Sequence, residues 1–459
     1  MPVKRLPPLP GSLVLLLAAI LAACAPAPPE ETARPQPTPA LASVPAEGFL
    51  RYDPQEVERD RLDPTWRAWA QRDLERRQQL AASPPFPGFT PAPVAPGTAA
   101  PPAATPTPTP TLAGELPVDR LRAGAAAPRT GTDGAGTVAT TSRETWDAIT
   151  PEAFGGAPAL PLSGDAAGPT ALRAQQLLDR VGFSPGVVDG HWGKNSEKAV
   201  FWLQVALGEA PTGILDQGLY ERLVQVAGGD QPLTRYTLTA DDVAGPFQPI
   251  PDSPAEQSQL SCLCYESAAE EAAERFHTTP ELLARLNPGV DLAALREGVG
   301  LVVPNVEPAP STHPPRQQQP LPRIARLVIS RGGRYLQALD TAGNILLHFP
   351  ATLGAGYDPS PGGDFTVTRV TFGPDFQYQP KLFAEVPDTE PEYHLPPGPN
   401  APVGSVWIAL SKEHYGIHGT AEPQTIGYAS SHGCVRMTNW DATFLADHVP
   451  VGTTVEFRD

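Results

Sequence analysis

The stretch YGIHGTAEPQTIGYASSHGCVRMTN (residues 415–439) brings one cysteine, Cys434, into the neighbourhood of two histidines, His418 and His432. A cysteine attacks a carbonyl carbon as the thiolate, and the free thiol has a pKa of about 8.5. A nearby imidazole that accepts the thiol proton would therefore make Cys434 a nucleophile. Residues two apart in an extended strand face the same side, which would put His432 beside Cys434. His418 lies further upstream, which suits an adjacent strand brought back by a turn.

Two other interpretations of these three side chains stay open on this pattern alone. A cysteine outside a reactive site is usually a small, buried apolar residue. His418, His432 and Cys434 could also be three zinc ligands. No carboxylate stands at metalloprotease spacing beside them, so the zinc interpretation is the weaker of the two.

Neighbouring residues offer further groups for acyl transfer. Gly433 has no side chain to block the approach of a substrate, so its backbone N–H and that of Cys434 could stabilise an oxyanion. Arg436 lies two residues beyond Cys434 and could hold a substrate carboxylate. Tyr415 and His414 are near enough in sequence to form walls of the same site.

Residues 323–459, which contain this stretch, predict a mostly β domain. Alternating or apolar runs such as ARLVISRGGRYLQAL (325–339) and NILLHFPATLG (344–354) are separated by glycine turns. One helix is predicted at NWDATFLADHV (439–449), with Asn439 as its N-cap and a proline as its stop. We expect a sandwich-like domain with its own core and site.

Residues 168–228 predict a small all-α domain of three helices. Leu172 and Leu178 recur at helical spacing, and Asp216 opens the third helix. The turn VDGHWGKNSEKAV (188–200) resembles the peptidoglycan-binding domain type 1 family. A helical spacer without a ligand is the alternative.

Residues 235–305 predict a small α+β unit. RYTLT (235–239) and GVGLVVPN (298–305) are predicted strands, and AAEEAAERFHTTPELLARLNPG (268–289) is predicted to form two short helices. This order resembles a LysM domain, a glycan-binding module. The insertion at 241–265 interrupts the usual first turn, so a purely structural role stays open.

The first 24 residues predict a targeting segment. A basic start precedes the apolar run SLVLLLAAILAA (12–23), which is shorter than the roughly 20 residues that cross a bilayer. LAAC, ending at Cys24, resembles the lipobox of bacterial lipoproteins, which implies cleavage before Cys24 and lipidation of its thiol. Ala25 follows in place of an acidic retention residue, which favours the outer membrane where one exists.

Residues 25–167 are rich in Pro, Ala and Thr and predict a largely disordered tether. The chain holds 59 prolines among 459 residues, well above the usual share of about 5%. A helix is predicted over residues 63–82, after the capping pair Asp63-Pro64. A second proline-rich linker, residues 306–322, separates the α+β unit from the β domain.

Charge and cysteine content exclude two classes of protein. A formal net charge of −17 argues against a nucleic-acid partner. Four cysteines in so long a chain do not make a disulfide scaffold. A bridge between Cys262 and Cys264, only two residues apart, is expected to be strained, and both are interpreted as structural.

The catalytic stretch resembles one family closely. IHGT (417–420) followed by SHGCVRM (431–437) is similar to the signature of the L,D-transpeptidases, and FPATLGAGYDPSPGGDFTV (349–367) is similar to that family's substrate-side hairpin. The resemblance covers residues 323–459. It implies an L,D-transpeptidase catalytic fold and an enzyme of the cell wall.

The resemblance implies a cysteine acyltransferase. Cys434 attacks the carbonyl of diaminopimelate at its bond to D-alanine in a peptidoglycan tetrapeptide stem, D-alanine leaves, and an amine takes the acyl group from the thioester. The resemblance assigns roles to these residues: general base to His418, its orientation to the carbonyl of Gly419, shaping of the site to His432, oxyanion N–H groups to Gly433 and Cys434, and loop support or substrate binding to Ser431, Arg436 and Tyr415. No metal and no organic cofactor is expected, since the thioester conserves the energy of the cleaved bond.

The acceptor of the acyl group is left open by the sequence. A second stem or a protein lysine would give a cross-link or an attached lipoprotein, and water would make the chain a carboxypeptidase or endopeptidase. A non-catalytic wall-binding lipoprotein is the alternative from another class. The expected partners are peptidoglycan peptides and glycan and, through a lipid anchor, a membrane. The expected location is the periplasmic side of the cell envelope.

Overall fold

A computed structural model describes residues 61, 63–82, 116–125, 144–309, 320–321, 323–354, 359–382 and 386–458. The predicted signal peptide, the lipidation site Cys24 and much of the predicted tether and linker lie outside these ranges. Among the described residues, no helix combines the length and the apolarity needed to span a membrane.

The first unit is helical, as predicted. Its three helices are α3 (Pro169–Arg180), α4 (Lys194–Leu207) and α5 (Gln217–Ala227), and the carboxylate of Asp216 accepts the N–H of Leu219 at the start of α5. A short antiparallel pair, β1 (Ala166–Ala167) and β2 (His191–Trp192), closes the unit. Large apolar side chains fill its core, among them Leu178, Trp192, Trp202 and Leu203.

Part of the predicted tether is folded, which corrects the expectation of disorder over 25–167. The predicted helix is present as α1 (Trp66–Ala82), and a second helix, α2 (Pro117–Ala125), follows it. Residues 144–167 include two 3-10 turns, Trp146–Ala148 and Ala153–Gly155. Composition misled the prediction because a few well-spaced apolar residues suffice to dock these segments, and these are buried: Trp66, Val118, Leu121, Ile149 and Leu162.

Helix α1 contacts the catalytic domain at strand β6, Tyr335–Leu339. Its Asp73 carboxylate accepts a hydrogen bond of 2.7 Å from the hydroxyl of Tyr335, and Arg77 donates to both Asp73 and Gln337. Trp66 packs edge-on against Phe201 of α4. Because a buried carboxylate is costly unless it is hydrogen-bonded, these contacts specify where the helix docks.

The second unit contains two strands and two helices. Strands β3 (Leu233–Thr237) and β4 (Gly300–Pro304) pair antiparallel, and between them lie the helices α7 (Ala268–Arg275) and α8 (Pro280–Leu286). Two 3-10 turns, Asp241–Val243 and Leu292–Ala294, complete the unit. Glycan binding by this unit stays a prediction.

The insertion of the second unit, residues 241–265, is ordered. It carries the one-turn helix α6 (Pro254–Gln257) and a disulfide between Cys262 and Cys264. The sequence argued against this bridge, yet the two Cα atoms lie 5.2 Å apart, inside the usual range for a disulfide. The turn that the bridge closes presents Leu263 to the catalytic domain, where its side chain is fully buried.

The catalytic domain is built on one eight-stranded mixed sheet. Its strands are β5 (Arg326–Ser330), β6 (Tyr335–Leu339), β7 (Ile345–Pro350), β8 (Gly363–Phe372), β11 (Val406–Leu410), β12 (Gly416–His418), β13 (Val435–Arg436) and β14 (Thr454–Arg458). They are ordered β13-β12-β11-β8-β14-β5-β6-β7. A separate hairpin, β9 (Phe376–Tyr378) with β10 (Tyr393–Leu395), lies between β8 and β11, and one helix, α9 (Asn439–His448), precedes the last strand.

The sheet is curled, which corrects the expected sandwich-like arrangement. The two edge strands approach each other, and Thr352, just beyond β7, exchanges two backbone hydrogen bonds of 2.9 Å with Arg436 of β13. A sheet that curls onto itself buries its inner face without a second sheet. The long apolar runs that suggested two packed sheets instead line one curled layer covered by α9 and the helical units.

The units pack directly on one another within a single body, Ala46–Asp459. Phe183 of the first unit forms an isolated bridge with His348 of β7, and Ser184 donates a hydrogen bond of 2.8 Å to Asp441 of α9. The second unit contacts the first through His277, whose Nδ1 lies 2.8 Å from the Asp179 carboxylate. The catalytic domain therefore has neighbours from both other units.

Candidate active site

The site lies where two short parallel strands meet. β12 pairs with β13 so that Ile417 faces Val435 and His418 faces Arg436. Ile417 and Val435 are fully buried in the core. Since side chains alternate along a strand, His418 and Arg436 project from the opposite face. Cys434 directly precedes β13 and lies two residues before Arg436, the strand partner of His418.

His418 is held in one orientation from its Nδ1 side. Nδ1 lies 2.7 Å from the backbone carbonyl oxygen of Gly419. A carbonyl oxygen only accepts, so Nδ1 carries the hydrogen and Nε2 is the nitrogen with a lone pair. The expectation that Gly419 orients His418 agrees with this contact.

Trp407 forms an apolar wall beside this histidine. It is the partner of His418 on β11, and the two rings stack with centroids 5.4 Å apart. The indole also covers Gly416, where a Cβ would lie 2.4 Å from the ring. The sequence did not point to Trp407. It lies in the apolar stretch VWIAL (406–410), which contains no residue typical of a catalytic site.

His418 is neutral at every physiological pH. Burial lowers its pKa to about 3, the positive charge of Arg436 adds to this effect, and the hydrogen bond to Gly419 partly opposes it. A neutral imidazole next to a thiol can accept a proton without first losing one. The low pKa also makes neutral His418 a weak base and its protonated form a strong acid.

Cys434 is not in a disulfide, and it is half-buried. Its Sγ lies 3.6 Å from the backbone carbonyl oxygen of His414, so the thiol donates toward the loop before β12. The side chain of His414 itself is exposed, and the residue has a positive φ of 62°. His414 thus contributes a carbonyl group to the site, which the sequence did not predict.

Ser431 supports the loop before the cysteine and does not face a substrate. Its hydroxyl donates a hydrogen bond of 2.6 Å to the carbonyl of Cys434, and its N–H donates to Leu353. The residue is 1% exposed. Of the two roles expected for Ser431, loop support or substrate binding, these contacts agree with loop support.

Gly433 adopts a conformation that suits glycine. Its φ is +101°, and a Cβ at this position would lie 3.1 Å from the ring of Tyr415. The ring of Tyr415 thus lies directly beside the nucleophile's loop. The oxyanion role of the Gly433 and Cys434 N–H groups stays a prediction.

His432 lies in the bend before β13, not in a strand. The argument that placed it beside Cys434 assumed an extended chain, and the positive φ of Gly433 breaks that alternation. The structure thus removes the reason for treating His432 as the nearer base. A shaping role for His432 stays a prediction, as does substrate binding by Arg436 and Tyr415.

Asn439 does not cap α9, which corrects a second expectation. The hydroxyl of Thr438 accepts the N–H of Asp441 and is the cap. The Asn439 side chain is freed for contacts outside the helix. Its Oδ1 accepts the N–H of Ser405, and its Nδ2 donates to Glu274 of the second unit.

No group of three or more histidine, cysteine, aspartate or glutamate side chains in the described part of the chain is arranged to hold a metal ion.

Comparison with known proteins agrees with this geometry. Residues 324–457 match the L,D-transpeptidase catalytic domain, and residues 168–223 match a family described as "Putative peptidoglycan binding domain". Proteins of Bacillus licheniformis and Bacillus subtilis, both named "Putative L,D-transpeptidase YkuD", are 31% and 30% identical over 186 and 183 residues. The alignments span 40% of this chain in both cases, and 90% and 88% of the relatives. The chain belongs to the L,D-transpeptidase family.

Among solved structures, an L,D-transpeptidase from Xylanimonas cellulosilytica is 17% identical, with a TM-score of 0.27 over 66% of this chain and 99% of that one. The family assignment rests on the sequence relatives. A transpeptidase domain beside a peptidoglycan-binding domain indicates peptidoglycan as the substrate of this L,D-transpeptidase and the cell envelope as its location.

Proposed function

We propose that this L,D-transpeptidase cleaves the bond between diaminopimelate and D-alanine in a peptidoglycan tetrapeptide stem and transfers the acyl group to an amine through a thioester on Cys434. One observation carries the proposal. The pairing of β12 with β13 places His418, a neutral histidine with a defined tautomer, opposite Arg436, which lies two residues beyond the cysteine.

Acylation begins with proton transfer from the thiol of Cys434 to Nε2 of His418. The sulfur attacks the stem carbonyl, and the negative charge that develops on oxygen is met by the N–H groups of Gly433 and Cys434. Collapse breaks the carbon–nitrogen bond. The proton held by His418 passes to the departing D-alanine nitrogen, which leaves His418 neutral and Cys434 as a thioester.

The low pKa of His418 bears on both halves of this cycle. A histidinium is strongly disfavoured in this buried place beside Arg436, so the proton is given up readily to the leaving amine. This makes His418 a strong acid catalyst for departure of the amine.

In deacylation an acceptor amine attacks the thioester carbonyl. His418 takes the amine proton, the new amide forms, and Cys434 returns to the thiol as that proton is handed back. A second stem as acceptor gives a cross-link, and a lysine side chain gives an attached protein. The first unit, which matches a peptidoglycan-binding family, supports retention of the enzyme on the wall between turnovers.

Anchoring by a lipid on Cys24 is part of the proposal. The chain between Cys24 and the first described residue, Arg61, would then connect the membrane to the folded body. Metabolic labelling with a radioactive fatty acid tests this, with Cys24→Ala as the unlabelled control. Glycan binding by the second unit is a further prediction, and pull-down with isolated glycan strands measures it.

The experiment that tests the reaction is incubation of purified protein with tetrapeptide muropeptides, followed by chromatography and mass spectrometry. Release of D-alanine with formation of dimers supports transfer to an amine. Tripeptide monomers alone would show hydrolysis, and unchanged substrate with folded protein would contradict an enzymatic role. Cys434→Ala is the blank, and His394→Gln, which changes an exposed histidine of the same domain, is the matched control for His418 variants.

A further inference from the structure

Helix α7 of the second unit reaches the catalytic domain through Glu274. The Nδ2 of Asn439 lies 3.0 Å from Oε2 and 3.3 Å from Oε1 of Glu274, and 3.1 Å from the carbonyl oxygen of Pro399. Glu274 is 5% exposed and Asn439 is 4% exposed. The carboxyl group also accepts a hydrogen bond of 3.2 Å from the hydroxyl of Tyr265, and it is shielded from water.

The other end of the Asn439 amide is held just as closely. Its Oδ1 accepts the N–H of Ser405 at 3.0 Å. A Cβ on Gly404 or on Gly419 would lie 2.1 Å from this oxygen, so the amide is wedged between two glycine backbones. Glu274 and Pro399 therefore set the rotation of Asn439, and Asn439 sets the separation of Gly404 from Gly419.

The backbones of Gly404 and Gly419 are both connected to groups that contact His418. The carbonyl of Gly419 accepts the Nδ1 hydrogen of His418 and fixes its tautomer. Ser405 immediately precedes β11, which carries Trp407 against the His418 ring. Release of Asn439 would loosen the orienting carbonyl and the apolar wall together.

The insertion of the second unit holds the same part of the catalytic domain. The N–H of Leu263 donates to Pro397 and the carbonyl of Leu263 accepts from Asn400, both at 2.9 Å. The Asn400 side chain donates to the carbonyl of Cys264 and to Glu270 of α7. The loop that joins β10 to β11, residues 396–405, is thus bonded to the second unit at several points.

We propose that Glu274 is a positioning residue for the transpeptidase reaction, and that the second unit forms part of the catalytic scaffold by holding the loop 396–405 and, through Asn439, the carbonyl that orients His418. This inference rests on the proposed function, since it concerns the same thiol and the same base. It gives the second unit a role that does not depend on glycan binding.

The charge state of Glu274 suggests the matched variants. Burial raises its pKa to about 8, so the group is largely uncharged at neutral pH. Glutamine then preserves both its volume and its acceptor oxygen for Asn439. Methionine preserves the volume but offers no comparable acceptor, so the two variants differ in the acceptor that they present to Asn439 and to the hydroxyl of Tyr265.

The test measures the rate at which a carbapenem acylates Cys434 in the full chain, by intact mass, and kcat and KM for D-alanine release from a tetrapeptide. Glu274→Met is expected to lower the acylation rate and kcat by about 10- to 100-fold, since misplacement of a catalytic group by about 1 Å costs that much. KM is expected to change little. Asn400→Ala, which frees the loop from Cys264 and Glu270, is expected to act in the same direction by a smaller factor.

The controls separate positioning from general destabilisation. Glu274→Gln is expected to restore the rate, and Glu271→Met, at a neighbouring position of α7 with similar burial, is expected to leave it unchanged. Circular dichroism checks folding. Wild-type rates in folded Glu274→Met, or equal losses in Glu274→Met and Glu271→Met, would overturn the inference alone. A folded wild-type protein that is neither acylated nor active would instead refute the proposed function.

Discussion

The two sides of His418 are built from different kinds of sequence information. On one side stand Arg436 and Cys434, close to His418 in the chain and joined to it by the parallel pairing of β12 and β13. On the other side stand Gly419 and Trp407, and behind them Asn439 and Glu274, which are 165 residues apart. The reacting groups and the groups in direct contact with them are local in sequence, whereas Glu274, which holds Asn439, comes from a distant part of the chain.

Because of this difference, replacing a reacting residue and replacing a supporting residue should have different effects on the enzyme. Loss of a reacting group removes the reaction and leaves the fold intact. Loss of a supporting contact lowers the rate or the stability by a finite amount that depends on packing. The predictions below use matched variants to separate the two kinds of failure.

The largest effect is expected at the nucleophile. Cys434→Ala removes the one cysteine outside a disulfide among the described residues, so acylation and D-alanine release should fall by more than about 10³-fold. Mass spectrometry and muropeptide analysis measure both. The melting temperature should stay near that of the wild type, because Cys434 is half-buried and is not in a disulfide. Residual transfer by a folded Cys434→Ala protein would contradict the assignment.

The next effect is expected at the base. His418→Gln keeps a group that can donate toward Gly419 but cannot carry the thiol proton, so acylation should slow by about 10²- to 10⁴-fold. His394→Gln should have no effect, since His394 is exposed and its ring pairs with the Asp375 carboxylate, not with a group of the site described above. Equal rates in these two variants would remove His418 from the mechanism.

Loss of stability is expected where the second unit meets the loop 396–405. A Cβ on Gly398 would lie 2.0 Å from the carbonyl oxygen of Leu263, and this backbone cannot move without breaking its bonds to Pro397 and Asn400. Gly398→Ala should lower the free energy of unfolding by about 1–3 kcal/mol. Gly289→Ala, where a Cβ meets no atom within 4 Å, is the control. Urea denaturation of both variants measures the difference, and equal midpoints would contradict the described packing.

The smallest effect is a change in the pH dependence of stability. Burial raises the pKa of Glu274 to about 8, with Glu270 and Glu271 adding to the rise and Asn439 and Tyr265 opposing it. The folded state then binds a proton that the unfolded state has lost. The resulting stability is full below about pH 4.5 and disappears as the pH rises toward 8.

Glu274→Gln does not titrate, so it isolates this contribution. Between pH 5 and pH 8 the wild type should lose stability relative to Glu274→Gln. Thermal melts of the two proteins across that range provide the measurement. Parallel curves would show that Glu274 does not bind the extra proton.

The sequence predicted features that depend on residues close together in the chain, and it missed features that depend on contacts between distant residues. Cys434, His418 and Gly419 were named as candidates because they lie in one short motif. The apolar runs of their domain predicted its β structure. Asn439 was taken for a helix cap because capping chemistry is local, whereas its real partners, Ser405 and Glu274, are brought to it only by the fold.

Burial by tertiary contact explains the remaining errors. Residues 144–167 looked disordered by composition, yet the packing of Ile149 and Leu162 orders them. Ser431 was expected to support the loop or to bind substrate because it stands in the motif, and only the structure shows its hydroxyl bonded to the carbonyl of Cys434. The curl of the sheet depends on the bridge between Thr352 and Arg436, which no local pattern encodes.

The central claim is that Cys434, served by His418, forms an acyl-enzyme. Intact mass spectrometry after exposure to a carbapenem, with peptide mapping, tests it most directly. The account predicts a single stable adduct on Cys434 that forms at wild-type rate in His394→Gln, slowly in His418→Gln and not at all in Cys434→Ala. No adduct on the folded wild-type protein, or an adduct that maps to another residue, would contradict it.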